Sequence, residues 1–257
     1  MIHTWDVTLP KLTGREKRKA YLYLPDSYTY DNHTRYPVLY MFDGHNVFFD
    51  SHATYGKSWG MKEYMDRTGT QMLIAAVECN HHPDHGRLKE YTPFPFSMPD
   101  GGCIPAWGDL TMEWMIHTLK EHIDRSYRTL ADREHTFIAG SSMGGLMSLY
   151  AAVRFRHIYS RAAALSPSLW VGDGKILSAI RECKDLKDTY VYLDYGSLEF
   201  QNHPKIRKQF FETAEALSDK NAYTDCRIVP GGTHCEASWE KQIPFFMNTL
   251  LYEKLPG

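Results

Sequence analysis

His135-Thr136-Phe137-Ile138-Ala139-Gly140-Ser141-Ser142-Met143-Gly144-Gly145-Leu146-Met147-Ser148-Leu149-Tyr150 begins as a β-rich run, turns at small residues and leaves as an Ala/Leu/Met-rich helical run. At the turn stands Gly140-x-Ser142-x-Gly144. This spacing lets a strand-to-helix turn hold a serine in a strained, exposed position. The glycines are needed because a Cβ would strike neighbouring backbone in so tight a turn. The hydroxyl then stands at the carboxyl end of a sheet and the N-terminus of a helix, where developing negative charge is stabilised. Centring the pattern on Ser141 gives Ala139-x-Ser141-x-Met143, which lacks both glycines. Ser142 is therefore the candidate nucleophile. The bland alternative is a Gly/Ser turn without chemistry; strand before and helix after favour the catalytic reading.

Outward from this stretch, strand and helix alternate. Residues 1–9 and 18–25 alternate with period two and read as strands, the second stopped by Pro25. Pro37-Val38-Leu39-Tyr40-Met41-Phe42 and residues 71–77 are continuous apolar runs, as expected of strands buried on both faces. Residues 160–165, 189–195 and 223–229 read as further strands. Helices are expected at 59–67, 110–127, 176–182, 205–218 and 235–251. In 110–127 the residues Met112, Met115, Ile116, Leu119 and Ile123 form one apolar stripe, with Trp114 and His117 read as packing residues rather than ligands. The pattern implies an α/β fold: a mostly parallel central sheet with helices on both faces, in one domain over 1–257. Residues 78–109 differ in kind. They hold five prolines and many aromatics, among them Tyr91, Phe94, Phe96 and Trp107. Long ordered loops tend to be functional, so this insertion is expected near the active site, the alternative being a rigid surface loop.

Composition narrows the function. The 257 residues carry 29 basic and 31 acidic side chains, a net charge of −2, so nothing points to nucleic acid or an anionic membrane. No apolar run spans a bilayer. Met1-Ile2-His3-Thr4-Trp5-Asp6 lacks a basic and an apolar leader segment, so no secretory signal is expected. The five cysteines (Cys79, Cys103, Cys183, Cys226, Cys235) are scattered and odd in number, which argues against a disulfide framework or zinc knuckle and for a reducing, cytoplasmic setting. A homo-oligomer is left open.

A nucleophilic serine needs a base, and the base an orienting acid. In hydrolases of this kind the chain order is Ser, acid, His. Three histidines follow Ser142: His157, His203 and His234. His157 lies towards the far end of the elbow helix, and His203 in a loop. His234 follows a strand and tight turns, so it is the expected base. For the acid, Asp194 lies within a strand, whereas Glu199 lies in the following loop and is preferred by position; Asp173, in a turn, is third. The oxyanion hole needs two backbone N–H groups: Met143, after the nucleophile, and His45, in the loop after an earlier strand.

Several stretches together resemble the esterase-D-type esterase family of α/β-hydrolases. They are Tyr36-Pro37-Val38-Leu39-Tyr40-Met41-Phe42-Asp43-Gly44-His45-Asn46, Arg87-Leu88-Lys89-Glu90-Tyr91-Thr92-Pro93-Phe94, His122-Ile123-Asp124-Arg125-Ser126-Tyr127-Arg128-Thr129, the elbow, and Gly231-Gly232-Thr233-His234 with Trp239. That family includes S-formylglutathione hydrolases, feruloyl and acetyl-xylan esterases, siderophore esterases and mycolyltransferases, and the resemblance is closest to the short siderophore-esterase-like branch. The resemblance implies Ser142, His234 and Glu199 as the triad, the His45 N–H in the oxyanion hole, and no metal or organic cofactor. Many relatives carry another residue where this chain has His45. Asn46, Arg87, Tyr91 and Trp107 are the expected substrate contacts. The expected reaction is hydrolysis of a small acyl, feruloyl-type or siderophore-type ester, with acyl transfer on the same triad as the alternative. One competing motif stands apart. Asn80-His81-His82-Pro83-Asp84-His85 nearly matches a metal-hydrolase H-x-H-x-D-H pattern, with His82, Asp84 and His85 as its ligands and Asn80 where the first histidine belongs.

Overall fold

The computed structural model describes residues 1–98, 100–201 and 204–252. Strands β1 (Ile2–Thr8), β2 (Lys17–Tyr23), β3 (Val38–Met41), β4 (Leu73–Val77), β5 (Phe96–Ser97), β6 (Cys103–Ile104), β7 (Thr136–Ser141), β8 (Arg161–Leu165), β9 (Tyr190–Gly196) and β10 (Tyr223–Val229) form two sheets. The main sheet has eight strands in the order β1-β2-β4-β3-β7-β8-β9-β10; β5 and β6 form a separate hairpin. β1 and β2 are antiparallel, and β2 joins β4 antiparallel. From β4 to β10 every pairing is parallel. The continuous apolar runs of β3, β4, β7 and β9 are buried at every residue, whereas the edge strands β1 and β10 are not.

That burial requires helices on both faces. On one face Met112, Ile116, Leu119 and Ile123 pack with Leu146, Met147 and Tyr150 of the elbow helix Met143–Arg154 and with Phe210 of Pro204–Asp219. On the other, Met61 and Met65 of Met61–Thr68 pack with Ile243, Phe246 and Leu250 of Ile243–Leu250. Among the described residues no helix is long and apolar enough to cross a membrane.

Three elements depart from the sequence expectation. The helix expected over 110–127 runs from Gly108 to Ser126 and passes through a π-helical turn, Met115–Lys120. Its Trp114 packs as expected, with Nε1 donating to the Thr8 carbonyl at 3.0 Å, but His117 is exposed and faces Glu121. The closing helix is two helices, Glu236–Glu240 and Ile243–Leu250. Pro244 explains the break: its ring would collide with the carbonyl four residues back, at Glu240, so it sits in the first turn of a new helix. The insertion 78–109 is not irregular throughout. It holds the helix Gly86–Glu90 and the β5–β6 hairpin. A buried ion pair ties it to the sheet, with Arg18 Nη1 donating to Glu90 Oε2 at 2.7 Å.

Candidate active site

The turn after β7 places Ser142 at φ 58°, ψ −120°, a conformation L-residues rarely adopt. The glycine spacing explains how it is held. A Cβ on Gly140 would lie 2.7 Å from the Gly144 carbonyl carbon, and one on Gly145 2.8 Å from the Leu165 oxygen. The Ser142 N–H donates to the Leu165 carbonyl at 2.9 Å, and its own carbonyl accepts from Ser168 N–H at 3.0 Å. Met143 is the first residue of the helix, so its N–H has no partner within that helix. The Ser142 Oγ lies 3.5 Å from Ser168 Oγ, and either hydroxyl can be the donor.

The turns after β9 and β10 bring an acid to a histidine. A Cβ on Gly196 would lie 2.3 Å from the Gly232 carbonyl, so the two turns touch backbone to backbone. Leu198 N–H donates to the Gly232 carbonyl at 3.1 Å. The result is a contact of 2.7 Å between His234 Nδ1 and Glu199 Oε2. Glu199 Oε1 accepts from Ser166 Oγ at 2.7 Å and from Gly196 N–H at 2.8 Å. Ser166 Oγ in turn accepts from Trp239 Nε1 at 3.0 Å. Burial alone would raise the Glu199 pKa; the hydrogen bonds from His234, Ser166 and Gly196 outweigh it and hold the carboxyl below its ordinary value. Asp194 is placed differently. It is buried in β9, accepting from Ser166 N–H at 3.1 Å and from the Tyr192 hydroxyl at 2.8 Å. Burial pushes its pKa up to about 7.

The loop after β3 makes one 3₁₀ turn, Gly44–Asn46, with Asp43 before it in the left-handed region at φ 56°. Asp43 is gripped by Arg87, whose Nε and Nη2 donate to its two carboxylate oxygens at 2.7 Å each. Burial opposes ionisation of Asp43, but the Arg87 charge prevails and lowers its pKa. His45 is buried, with Nε2 at 3.1 Å from Thr54 Oγ1; burial lowers its pKa, keeping the ring neutral. Asn46 accepts from Thr54 N–H at 2.9 Å and donates to Glu236 Oε1 at 3.3 Å.

Ser142, His234, His45, Asn46 and Arg87 line one cavity of about 470 Å³. His234 also lines a second, of about 400 Å³, with Glu199, Ser166, Trp170, Leu198 and Ile206. Two expected substrate contacts lie elsewhere. Tyr91 is buried, its ring 5.0 Å edge-on to Phe42 and its hydroxyl accepting from Asp43 N–H at 3.2 Å. It is drawn inward because it closes the core beneath the Asp43 loop. Trp107 lines neither cavity; Lys89 sits over its ring at 5.5 Å. His157 lines a separate cavity with Arg133 and Arg154, Asp173 is exposed, and His203 lies outside the described residues. His82, Asp84 and His85 do not gather as metal ligands: Asp84 is taken up by His82 Nδ1 at 2.5 Å and Lys89 Nζ at 2.6 Å. Among the described residues, the group whose ligand atoms do come together is His45, Cys79 and His81. Sequence reasoning missed Ser166, whose hydroxyl donates to Glu199; its local mark is the Ser166-Pro167-Ser168 turn.

The curated protein YbbA of Bacillus subtilis, described as uncharacterized, is 23% identical over 250 residues, covering 92% of this chain and 93% of its own. Among solved structures, an IroE-like serine hydrolase from Shewanella oneidensis superposes with a TM-score of 0.76 at 17% identity, over 97% of this chain and 79% of its own. The BES protein from Bacillus cereus superposes at 0.74 and 18% identity, over 98% and 95%. These likenesses carry the α/β-hydrolase type of fold. The profile of the family described as "Putative esterase" matches residues 13–249, nearly the whole chain, so the protein belongs to the putative esterase family and is a carboxylic ester hydrolase.

Proposed function

We propose that this chain is a serine esterase whose triad is Ser142, His234 and Glu199, acting on a small acyl, feruloyl-type or siderophore-type ester. The contact of 2.7 Å between His234 Nδ1 and Glu199 Oε2, beside a cavity that Ser142 also lines, carries the reading. Glu199 holds the imidazole in the tautomer with its proton on Nδ1, leaving Nε2 as the base. His234 takes the Ser142 proton as Oγ attacks the ester carbonyl. The Met143 and His45 N–H groups take the oxyanion. His234 returns the proton to the leaving alcohol. Water, activated by the same imidazole, then releases the acid and frees Ser142. The two cavities flanking His234 supply room for the two halves of an ester. The one lined by Trp170, Leu198 and Ile206 suits an aromatic or acyl group; the one with Asn46 and Arg87 suits a polar portion.

The test is hydrolysis of p-nitrophenyl acetate and butyrate by wild type and Ser142→Ala, with and without EDTA, together with fluorophosphonate labelling. Activity and label lost in Ser142→Ala, and wild-type activity indifferent to EDTA, are expected. Activity that survives Ser142→Ala would refute the triad. Feruloyl, acetyl-sugar and siderophore esters would then be ranked by kcat/KM to define the substrate.

A further inference from the structure

Cys79 and His81 leave the end of β4 and meet His45 of the turn after β3. One nitrogen of each histidine and the Cys79 Sγ all lie within 4.8 Å of one another. Cys79 Sγ is 3.9 Å from His81 Nδ1, and the two imidazole rings stand edge to face at 4.7 Å. Around a tetrahedral zinc ion, nitrogen and sulfur ligands sit roughly 3.6 Å apart. The set thus needs to close by about 1 Å, and His81 is the exposed member of the three.

His45 is arranged as a ligating imidazole is. Its Nε2 is held by Thr54 Oγ1 at 3.1 Å, while its Nδ1 is buried without a hydrogen-bond partner. Metal-bound histidines use one nitrogen for the metal and fix the other on a polar neighbour. The remaining side of the cluster opens on the cavity lined by Ser142 and His234, where water can complete the coordination. A thiolate and two imidazoles suit zinc and its borderline-soft neighbours; magnesium and calcium demand oxygen ligands.

We propose that His45, Cys79 and His81 bind a zinc-class cation on the wall of the Ser142 cleft, and that its occupancy inhibits the esterase. On binding, the Cys79 S–H bond breaks, a metal–sulfur bond forms and the proton passes to solvent; no electrons are exchanged. Inhibition follows from position. The hydrated cation occupies substrate space, and His45 is held by a bond to the metal on the very turn whose N–H faces the oxyanion. This second half rests on the triad reading; the first does not.

The experiment is a titration of reduced, metal-free Ser142→Ala protein with Co²⁺, whose thiolate charge-transfer band reports a Co–S bond. One equivalent is expected to bind with that band, to be displaced by Zn²⁺ and to be unaffected by Mg²⁺. Cys79→Ser should abolish the band, and His81→Ala, an exposed site, should weaken binding by at least about tenfold. Absence of the band, or binding unchanged in both variants, overturns the site. In the catalytically competent background, Zn²⁺ should inhibit p-nitrophenyl acetate hydrolysis at the concentration that displaces cobalt, and His81→Ala should resist Zn²⁺ when compared with its own metal-free rate. Equal inhibition of His81→Ala would place zinc on His234 and overturn the regulatory half. If Ser142 is not the nucleophile, the cobalt titration still decides the binding site.

Discussion

Replacing Glu199 by glutamine changes almost no atoms and should nearly abolish catalysis. The geometry says which way the amide must face. Glu199 Oε1 receives two donors, Ser166 Oγ and the Gly196 N–H. The Gly196 backbone N–H can only donate, so an NH₂ group in the Oε1 place would face a donor. The amide oxygen must therefore take the Oε1 place, which points the NH₂ group at His234 Nδ1. That nitrogen can then only accept, so the imidazole proton moves to Nε2 and the base is lost. A wrong tautomer of this kind costs about 10⁴ in kcat, or about 5 kcal/mol of transition-state stabilisation. KM should change little, since the amide keeps the shape of the carboxylate in the cavity wall. The assay is steady-state hydrolysis of p-nitrophenyl acetate by wild type, Glu199→Gln and Asp194→Asn, with circular dichroism to confirm folding. A Glu199→Gln enzyme within about tenfold of wild type, or an Asp194→Asn enzyme that loses more, would refute the assignment of the acid.

Asp194→Asn should instead change stability. Burial lifts the pKa of this carboxyl from 3.8 to about 7, so the unfolded chain ionises first as pH rises. Its penalty is absent below pH 3.8, grows between the two values and reaches about 4 kcal/mol above pH 7 at 1.36 kcal/mol per pH unit. Denaturant melts at pH 5 and pH 8 should show the variant losing less stability on going to pH 8 than wild type; parallel losses would count against the argument. Ser166→Ala leaves the Trp239 N–H without its partner and removes a donor from Glu199, so a loss of about 1–3 kcal/mol in stability is expected by the same melts, with a lower kcat. An unchanged kcat and melting curve would mean that the bridge is inert. Ser142→Gly should be inactive yet more stable, by on the order of 1 kcal/mol, because glycine accepts φ 58° without strain while giving back part of the gain as chain entropy. Thermal melting that is unchanged or lower would show that the turn stores no strain at Ser142.

What could be read from the chain, and what could not, divides by the range of the contact involved. The elbow is local. Gly140, Gly144 and Gly145 are needed because side chains there would strike atoms a few residues away or on the adjoining strand end, so their spacing is itself the signal. Strands buried on both faces announce themselves as apolar runs for the same reason. Reading 235–251 as one helix passes over Pro244, although a proline there marks the break; the π-helical turn at Met115–Lys120 left no such mark. The aromatics of 78–109 misled because composition does not separate a core from a cleft: Tyr91 faces Phe42, and Phe94 faces Tyr150 at 5.7 Å. The choice of acid shows the limit most sharply. Asp194 and Glu199 follow one another around the same turn, and strand periodicity sends Asp194 to the face it shares with Tyr192. What carries Glu199 to His234 is Gly196 lying against Gly232, two turns far apart in sequence. A Cβ on either glycine would part them. The proposed nucleophile can therefore be found by a pattern in the chain, whereas the proposed acid depends on a fit between two turns that only the folded sheet brings together.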